Sequence, residues 1–414
     1  MSKIEFEKYT LQNGLRVIFH RDTSTPLACV NVMYDVGSRD ENPNQTGFAH
    51  LFEHLMFGGS VNIPSYDSPL QLAGGTNNAF TSPDVTNYYL TVPSQNLETG
   101  FWLESDRMLS LAFTPKSLEV QRSVVIEEFR QRYLNQPYGD AWLLLRPLVF
   151  TKHGYNWATI GKEEKHIEDA TMEDVKAFFH RHYRPKNAIL IVAGNVESKK
   201  VRDLAKKYFE PIEKEEKPKR EIPIEPKQTE PRRLEIDRDV PQDAIYMAFH
   251  ICGRSDDDYP KFDLLSDILS LGKSARLYRR LVQEEQLFTD LHAYVMGERD
   301  PGMFCVSGKL SEGVFLEKAE AAIWEEIEKV KADVSSEELE KIRNQAISSQ
   351  EFGQMSVLNK AMGLAYHELM GNADNINTEV DKYVSVTAEE IMKVATENIH
   401  PNNCSTLIYH RKTN

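Results

Sequence analysis

Apolar and polar positions alternate over residues 9–20 and break at Gln12-Asn13-Gly14, the pattern of a β-hairpin closed by a tight turn. Residues 28–36 are rich in valine and predict a further strand. Across residues 44–58 the period changes: Phe48, Leu51, Phe52, Leu55 and Met56 recur at three- and four-residue intervals and so share one face of a helix. Gly74-Gly75 marks a turn, strand character returns over 78–93, and long helical patterns run over 94–111 and 116–134. Strands and helices grouped in runs, rather than strictly alternating, predict an α+β fold with largely antiparallel sheets packed with helices.

The plan recurs once. LACVNVMYDVGSRDENPNQTGFAHLFEHLMF reads as a strand, a Gly-Ser-Arg-Asp turn and a helix; DAIYMAFHICGRSDDDYPKFDLLSDILSLG reads as a strand, a Gly-Arg-Ser-Asp turn and a helix. The ends match as well, since RHYRPKNAILIVAGNV and ENIHPNNCSTLIYHR each place a strand after a proline-bearing turn. Two copies indicate two similar domains rather than a solenoid. Between them, residues 213–233 combine prolines with dense charge and carry no period that would bury a face, so they are expected to be a linker. The expected domains are 1–212 and 234–414.

Composition narrows the class. The 414 residues are 41% hydrophobic and 27% charged, which is globular. No apolar run reaches the roughly 18 residues of a spanning helix, and the first residues show no uninterrupted apolar stretch of the kind that directs export. The chain as written is expected to be soluble and cytoplasmic, or periplasmic if a signal peptide has been removed. A formal net charge of −14 argues against nucleic acid as the main partner. Cys29, Cys252, Cys305 and Cys404 are far apart without CxxC spacing, so neither a thiolate zinc site nor a disulfide framework is expected.

The chemistry concentrates in His50-Leu51-Phe52-Glu53-His54, inside the first of these helices. Positions i and i+4 share a helix face, so both imidazoles can converge on one ion, and Glu53 lies nearly on the same side. A carboxylate there is placed to take a proton from the metal's water. Two histidines leave a zinc site short of a protein ligand. Glu127 and Glu128, on the helix predicted over 116–134, are the candidates for it.

HxxEH inverts the order of the commoner zinc-peptidase motif. With GFAHLFEHLMFGGS, GGTNNAFTSPDVTNYYLTVP, QRSVVIEEFRQR and NQPYG around it, the chain closely resembles the pitrilysin/insulinase family of metallopeptidases, which includes mitochondrial processing peptidase. The resemblance is detailed from about Leu11 to Asn195 and, through the duplicated plan, extends over nearly the whole chain. It implies a zinc endopeptidase in which one Zn2+ is held by His50, His54 and Glu128, with Glu53 as general base. It also implies a peptide substrate held as an added strand along Asn77–Thr81, with Asn78 and Ala79 near the scissile bond and Phe80 beside them among the substrate-binding residues.

The second half offers no HxxEH; its matching helix reads PKFDLLSDILS. Many family members carry there an Arg and a Tyr that hold the substrate backbone and the oxyanion. Here those positions are Val282 and Thr289. The resemblance therefore implies a homologous second subunit supplying the pair, in a heterodimer, or otherwise a homodimer. Arg276, Tyr278, Arg279 and Arg280 lie close by and are either substitutes for the pair or a plain basic helix face. The competing readings are a catalytically silent structural or assembly subunit that keeps the fold, and a zinc-binding module without hydrolysis.

Overall fold

A computed structural model describes residues 3–217 and 219–412; Pro218, in the expected linker, lies outside the described residues, as do both chain ends. The first sheet is built from β1 (Glu7–Thr10), β2 (Arg16–Arg21), β3 (Leu27–Tyr34), β4 (Thr76–Thr81), β5 (Thr86–Pro93) and β6 (Ala188–Gly194) in the order β1-β2-β6-β3-β5-β4. The second contains β7 (Arg232–Arg238), β8 (Ala244–His250), β9 (Phe288–Met296), β10 (Met303–Leu310) and β11 (Cys404–Arg411) in the order β7-β11-β8-β10-β9. Apart from β1 the two orders are the same. Each sheet has a single parallel pair at the same place, β2 with β6 and β7 with β11, and is otherwise antiparallel. The fold is α+β, as the pattern of the chain predicts.

The duplication extends to single hydrogen bonds. In the turn after β3 the Gly37 N–H donates to Asp40 Oδ2 (3.0 Å), and in the turn after β8 the Gly253 N–H donates to Asp256 Oδ2 (2.7 Å). Before β6, Asn187 Nδ2 donates to the carbonyls of His182 (2.9 Å) and Asp35 (3.1 Å). Before β11, Asn403 Nδ2 donates to those of Asn398 (2.7 Å) and His250 (2.9 Å). A buried amide that closes the same two carbonyl gaps in both repeats satisfies backbone that the sheet end would otherwise leave unpaired.

The packing divides the chain differently from the expected boundaries. One compact unit comprises Met1–Arg130, Trp157–Pro223 and Glu351–Asn377; the other comprises Gln131–Asn156, Ile224–Gln350 and Thr378–Asn414. The late helix Val357–Leu369 packs Val357, Ala361, Leu364 and Ala365 on Ile18, Cys29, Met33, Ile189 and Ile191 of the first sheet. The early helix Ala141–Val149 packs Ala141, Leu145 and Val149 on Ala244, Ala248, Cys305 and Leu407 of the second. The reason is burial on both faces. β6 is buried at every position, and β3 at all but its first, so each sheet needs a helix on its far face as well as its near one. In each unit that cover comes from the other half of the sequence.

The described residues of the 213–233 segment have no regular structure before β7 begins at Arg232, yet they are tied down. Lys217 and Arg220 pair with buried Asp35 in the first unit. Glu225 accepts the N–H groups of Thr151 (2.8 Å), Lys152 (2.8 Å) and His153 (2.9 Å) in the second. All four cysteines carry free thiols, three of them buried. No helix among the described residues is long and apolar enough to cross a membrane.

Candidate metal centre

The helix expected over 44–58 forms as Phe48–Leu55, shorter because its entry is specialised. Gly47 sits before it at φ 88°, and a Cβ there would meet the Ile160 carbonyl oxygen at 2.6 Å, so only glycine fits. Buried Glu41 accepts the N–H groups of Gly47 (2.9 Å) and Ala49 (2.8 Å) and the indole N–H of Trp157 (3.0 Å). Burial pushes the Glu41 carboxyl up to about 8, against the pull of those donors. Beneath the helix, Phe52 stacks on Phe178 and Tyr183, and the Tyr88 hydroxyl reaches the Phe52 carbonyl (3.4 Å). Buried Arg107 lies over the Tyr88 and Tyr66 rings and pairs with buried Glu104. The metal-motif helix thus rests on an aromatic bed that leaves its outer stripe for His50, Glu53 and His54.

A second helix, Pro115–Phe129, begins with a capping box in which the Thr114 hydroxyl accepts the Ser117 N–H (3.0 Å). It ends in a π-helical turn, Arg130–Leu134, so the single helix expected over 116–134 changes register just past the Glu pair. Such turns are frequent at functional sites. Arg122 anchors this helix by donating to the carbonyls of Ile167 (3.2 Å) and Ala170 (2.5 Å). Glu128 turns inward, whereas Glu127 is exposed.

The Glu128 carboxylate lies 3.4 Å from His54 Nε2 and 3.7 Å from His50 Nε2. The two imidazole rings stand nearly perpendicular, 80° apart with centroids at 4.8 Å. Donor atoms of His50, His54 and Glu128 all lie within 4.8 Å of one another, the only such group of metal-ligating side chains among the described residues. Tetrahedral zinc with bonds of about 2.0–2.1 Å spaces its donors roughly 3.4 Å apart. The donor set, two imidazoles and one carboxylate, and its spacing both fit zinc with a position left open. The three side chains are between 13% and 24% exposed, so solvent reaches that position.

Thr81, at the end of β4, donates its hydroxyl to Glu53 Oε2 at 2.6 Å. Sequence reasoning passed over this contact. The alternation of β4 was the available signal, since it puts Asn77, Ala79 and Thr81 on the face toward the motif helix and Asn78 and Phe80 on the other. Of the three expected substrate residues, Asn78 and Phe80 therefore point their side chains away from Glu53. The pairing leaves Ala79 the better placed, through its backbone carbonyl, since its N–H donates to Asn78 Oδ1 (2.8 Å). The Ser82 N–H donates to the Val85 carbonyl, so Thr81↔Thr86 and Ala79↔Tyr88 are non-hydrogen-bonded pairs whose main-chain groups face the open edge.

In the second unit Val282 lies in a π-helical turn, Tyr278–Glu284, and Thr289 is an exposed residue of β9. Arg276 is paired with Glu338, and Arg280 with Glu285, Glu325 and Glu326. Those ion pairs account for both as a structural basic face.

Comparison with known proteins places these features. Residues 16–138 match the profile of the Insulinase family (Peptidase family M16), and residues 169–346 match that of the Peptidase M16 inactive domain. The chain is 32% identical over 344 residues to the zinc protease PqqE of Helicobacter pylori, covering 81% of this chain and 77% of that protein. It superposes on the crystal structure of a protease from Helicobacter pylori with a TM-score of 0.92 at 28% identity, covering 98% of this chain and 100% of the other. It is 25% identical over 365 residues to the probable mitochondrial-processing peptidase subunit beta of Arabidopsis thaliana, covering 84% and 67% of the two chains. The chain belongs to the pitrilysin/insulinase (M16) family of peptidases.

Proposed function

We propose that this chain is a zinc-dependent endopeptidase acting on extended peptides or unfolded segments. The observation that carries the reading is the convergence of His50, His54 and Glu128 with Glu53 beside them. His50, His54 and Glu128 hold the ion, and the exposed Glu127 does not. Zinc, when bound, supplies a Lewis acid that acidifies water and polarises a carbonyl. Glu53 takes the proton from the attacking water and delivers it to the leaving amine, so one carboxylate serves as base and then as acid. The open edge of β4 takes the peptide as an added strand, held through the main-chain groups of Asn77, Ala79 and Thr81. Backbone bonding of this kind selects an extended shape rather than a sequence.

Oxyanion stabilisation comes from a second chain. Val282 offers no polar group, and Thr289 is the only hydroxyl of the two positions that carry the Arg and Tyr in many relatives. The relative named as a subunit supports assembly with a partner chain.

Replacing Glu53 with Gln tests the mechanism, because it preserves shape and removes the base. Turnover of a fluorogenic peptide should fall by about 10²–10⁴-fold with zinc content unchanged. Undiminished turnover in that variant would remove Glu53 from the mechanism.

A further inference from the structure

We infer that Thr81 is a positioning residue that aims the Glu53 carboxylate, so that the edge strand offered to the peptide also sets the base. The inference rests on Glu53 being the proton acceptor. On the helix, Glu53 lies 60° from His50 on the side away from His54, at the flank of the metal-facing stripe rather than on it. Its side chain has three rotatable bonds, each with its own wells, and the helix alone selects none of them for catalysis. The selection comes from Thr81 Oγ1, which donates to Glu53 Oε2 at 2.6 Å, a charge-assisted bond.

The donor is itself held firmly. Thr81 is β-branched and so stiff at χ1. It ends β4 opposite Thr86, just before a turn closed by the Ser82 N–H on the Val85 carbonyl (2.8 Å) and by the Val85 N–H on the Ser82 hydroxyl (3.0 Å). Thr81 also presents its main-chain groups to the open edge, so a peptide pairing there braces the same residue that orients the base.

The test compares Thr81→Val, which keeps the shape and loses the hydroxyl, with Thr81→Ser, which keeps the hydroxyl. Zinc content and melting temperature are checked for each, and Glu53→Gln serves as the control. Thr81→Val should lower kcat by about 10–100-fold, the scale of a misplaced catalytic group, with KM and zinc content within about twofold of the parent; Thr81→Ser should restore most of kcat. Crystal structures of the zinc-loaded parent and Thr81→Val give a second readout: the Glu53 carboxylate should hold one orientation in the parent and several, or a different one, in the variant. An unchanged kcat in Thr81→Val while Glu53→Gln is inactive overturns the inference and leaves the mechanism standing. Full activity in Glu53→Gln overturns the mechanism itself. If the isolated chain turns over no peptide, the crystallographic comparison decides: an identical Glu53 orientation in both proteins overturns the role of Thr81.

Discussion

The two units share a strand order, a Gly-x-x-Asp turn and a buried asparagine, yet one gathers a candidate set of metal ligands and the other has no such group among its described residues. In the first, the helix after the turn is eight residues long and keeps an outer polar stripe of His50, Glu53 and His54. In the second, the matching helix Tyr259–Ser270 buries Tyr259, Phe262, Leu264, Leu265, Ile268 and Leu269, and has no histidine. The difference teaches that the duplicated scaffold does not create the chemistry. It creates a helix laid against a sheet beside an open edge strand, β4 in one unit and β9 in the other, and a few side chains on that helix decide whether the place holds an ion.

That contrast can be broken or sharpened by experiment. The largest effect should come from the ligand set. Glu128→Gln should weaken zinc binding by more than the roughly 10–100-fold that losing an outer-shell partner costs, while Glu127→Gln leaves it unchanged; equilibrium titration against a competing chelator measures both. Equal losses in the two variants would erase the distinction between the inward and the exposed glutamate. Next, a homologous chain carrying the Arg and Tyr should raise kcat/KM by about 10²–10³-fold, the value of an oxyanion donor. Titrating such a partner into a peptide assay reads this out, and an unchanged rate would show that the second unit needs no help.

A smaller effect concerns the exchanged helix. Lys360, on Val357–Leu369, pairs with buried Asp22 beside β2 at 2.7 Å. Burial raises the Asp22 carboxyl, but Lys360 and Ser24 outweigh it and hold it at about 2, below its ordinary 3.8. Because the folded value is depressed, the stabilisation is complete above the unfolded pKa and is lost as pH falls from about 3.8 through 2. Lys360→Met should cost about 1–2 kcal/mol near neutral pH and flatten the acid limb of the stability curve, as denaturant melts at several pH values would show. A variant with the parent's acid limb would mean that this pair does not help fasten the late helix to the first sheet.

Much of this was legible in the chain. The hairpin at Asn13-Gly14, the duplicated turns and the HxxEH stripe are local patterns, and local patterns survive reading by eye. Glu128 was reachable only through resemblance, because spacing along a helix cannot say which of two adjacent carboxylates turns inward; packing of Leu118, Val125 and Phe129 decides that. The exchange of helices was not read, although it left a trace: AILIVAG in β6 is a continuous apolar run, the mark of a strand covered on both faces. What no pattern supplied was which distant helix provides the cover. Thr81 escaped for a related reason, since its partner Glu53 is 28 residues away and the bond exists only once strand and helix have met.

The central claim is that the first unit holds one zinc ion and uses it. The most direct measurement is the zinc content of the purified chain by elemental analysis, taken with peptide turnover, partner included, before chelation, after it, and after zinc is restored. The account predicts a single zinc ion per chain, turnover abolished by the chelator and recovered with the metal. A chain that binds no zinc, or turnover indifferent to its removal, would contradict it.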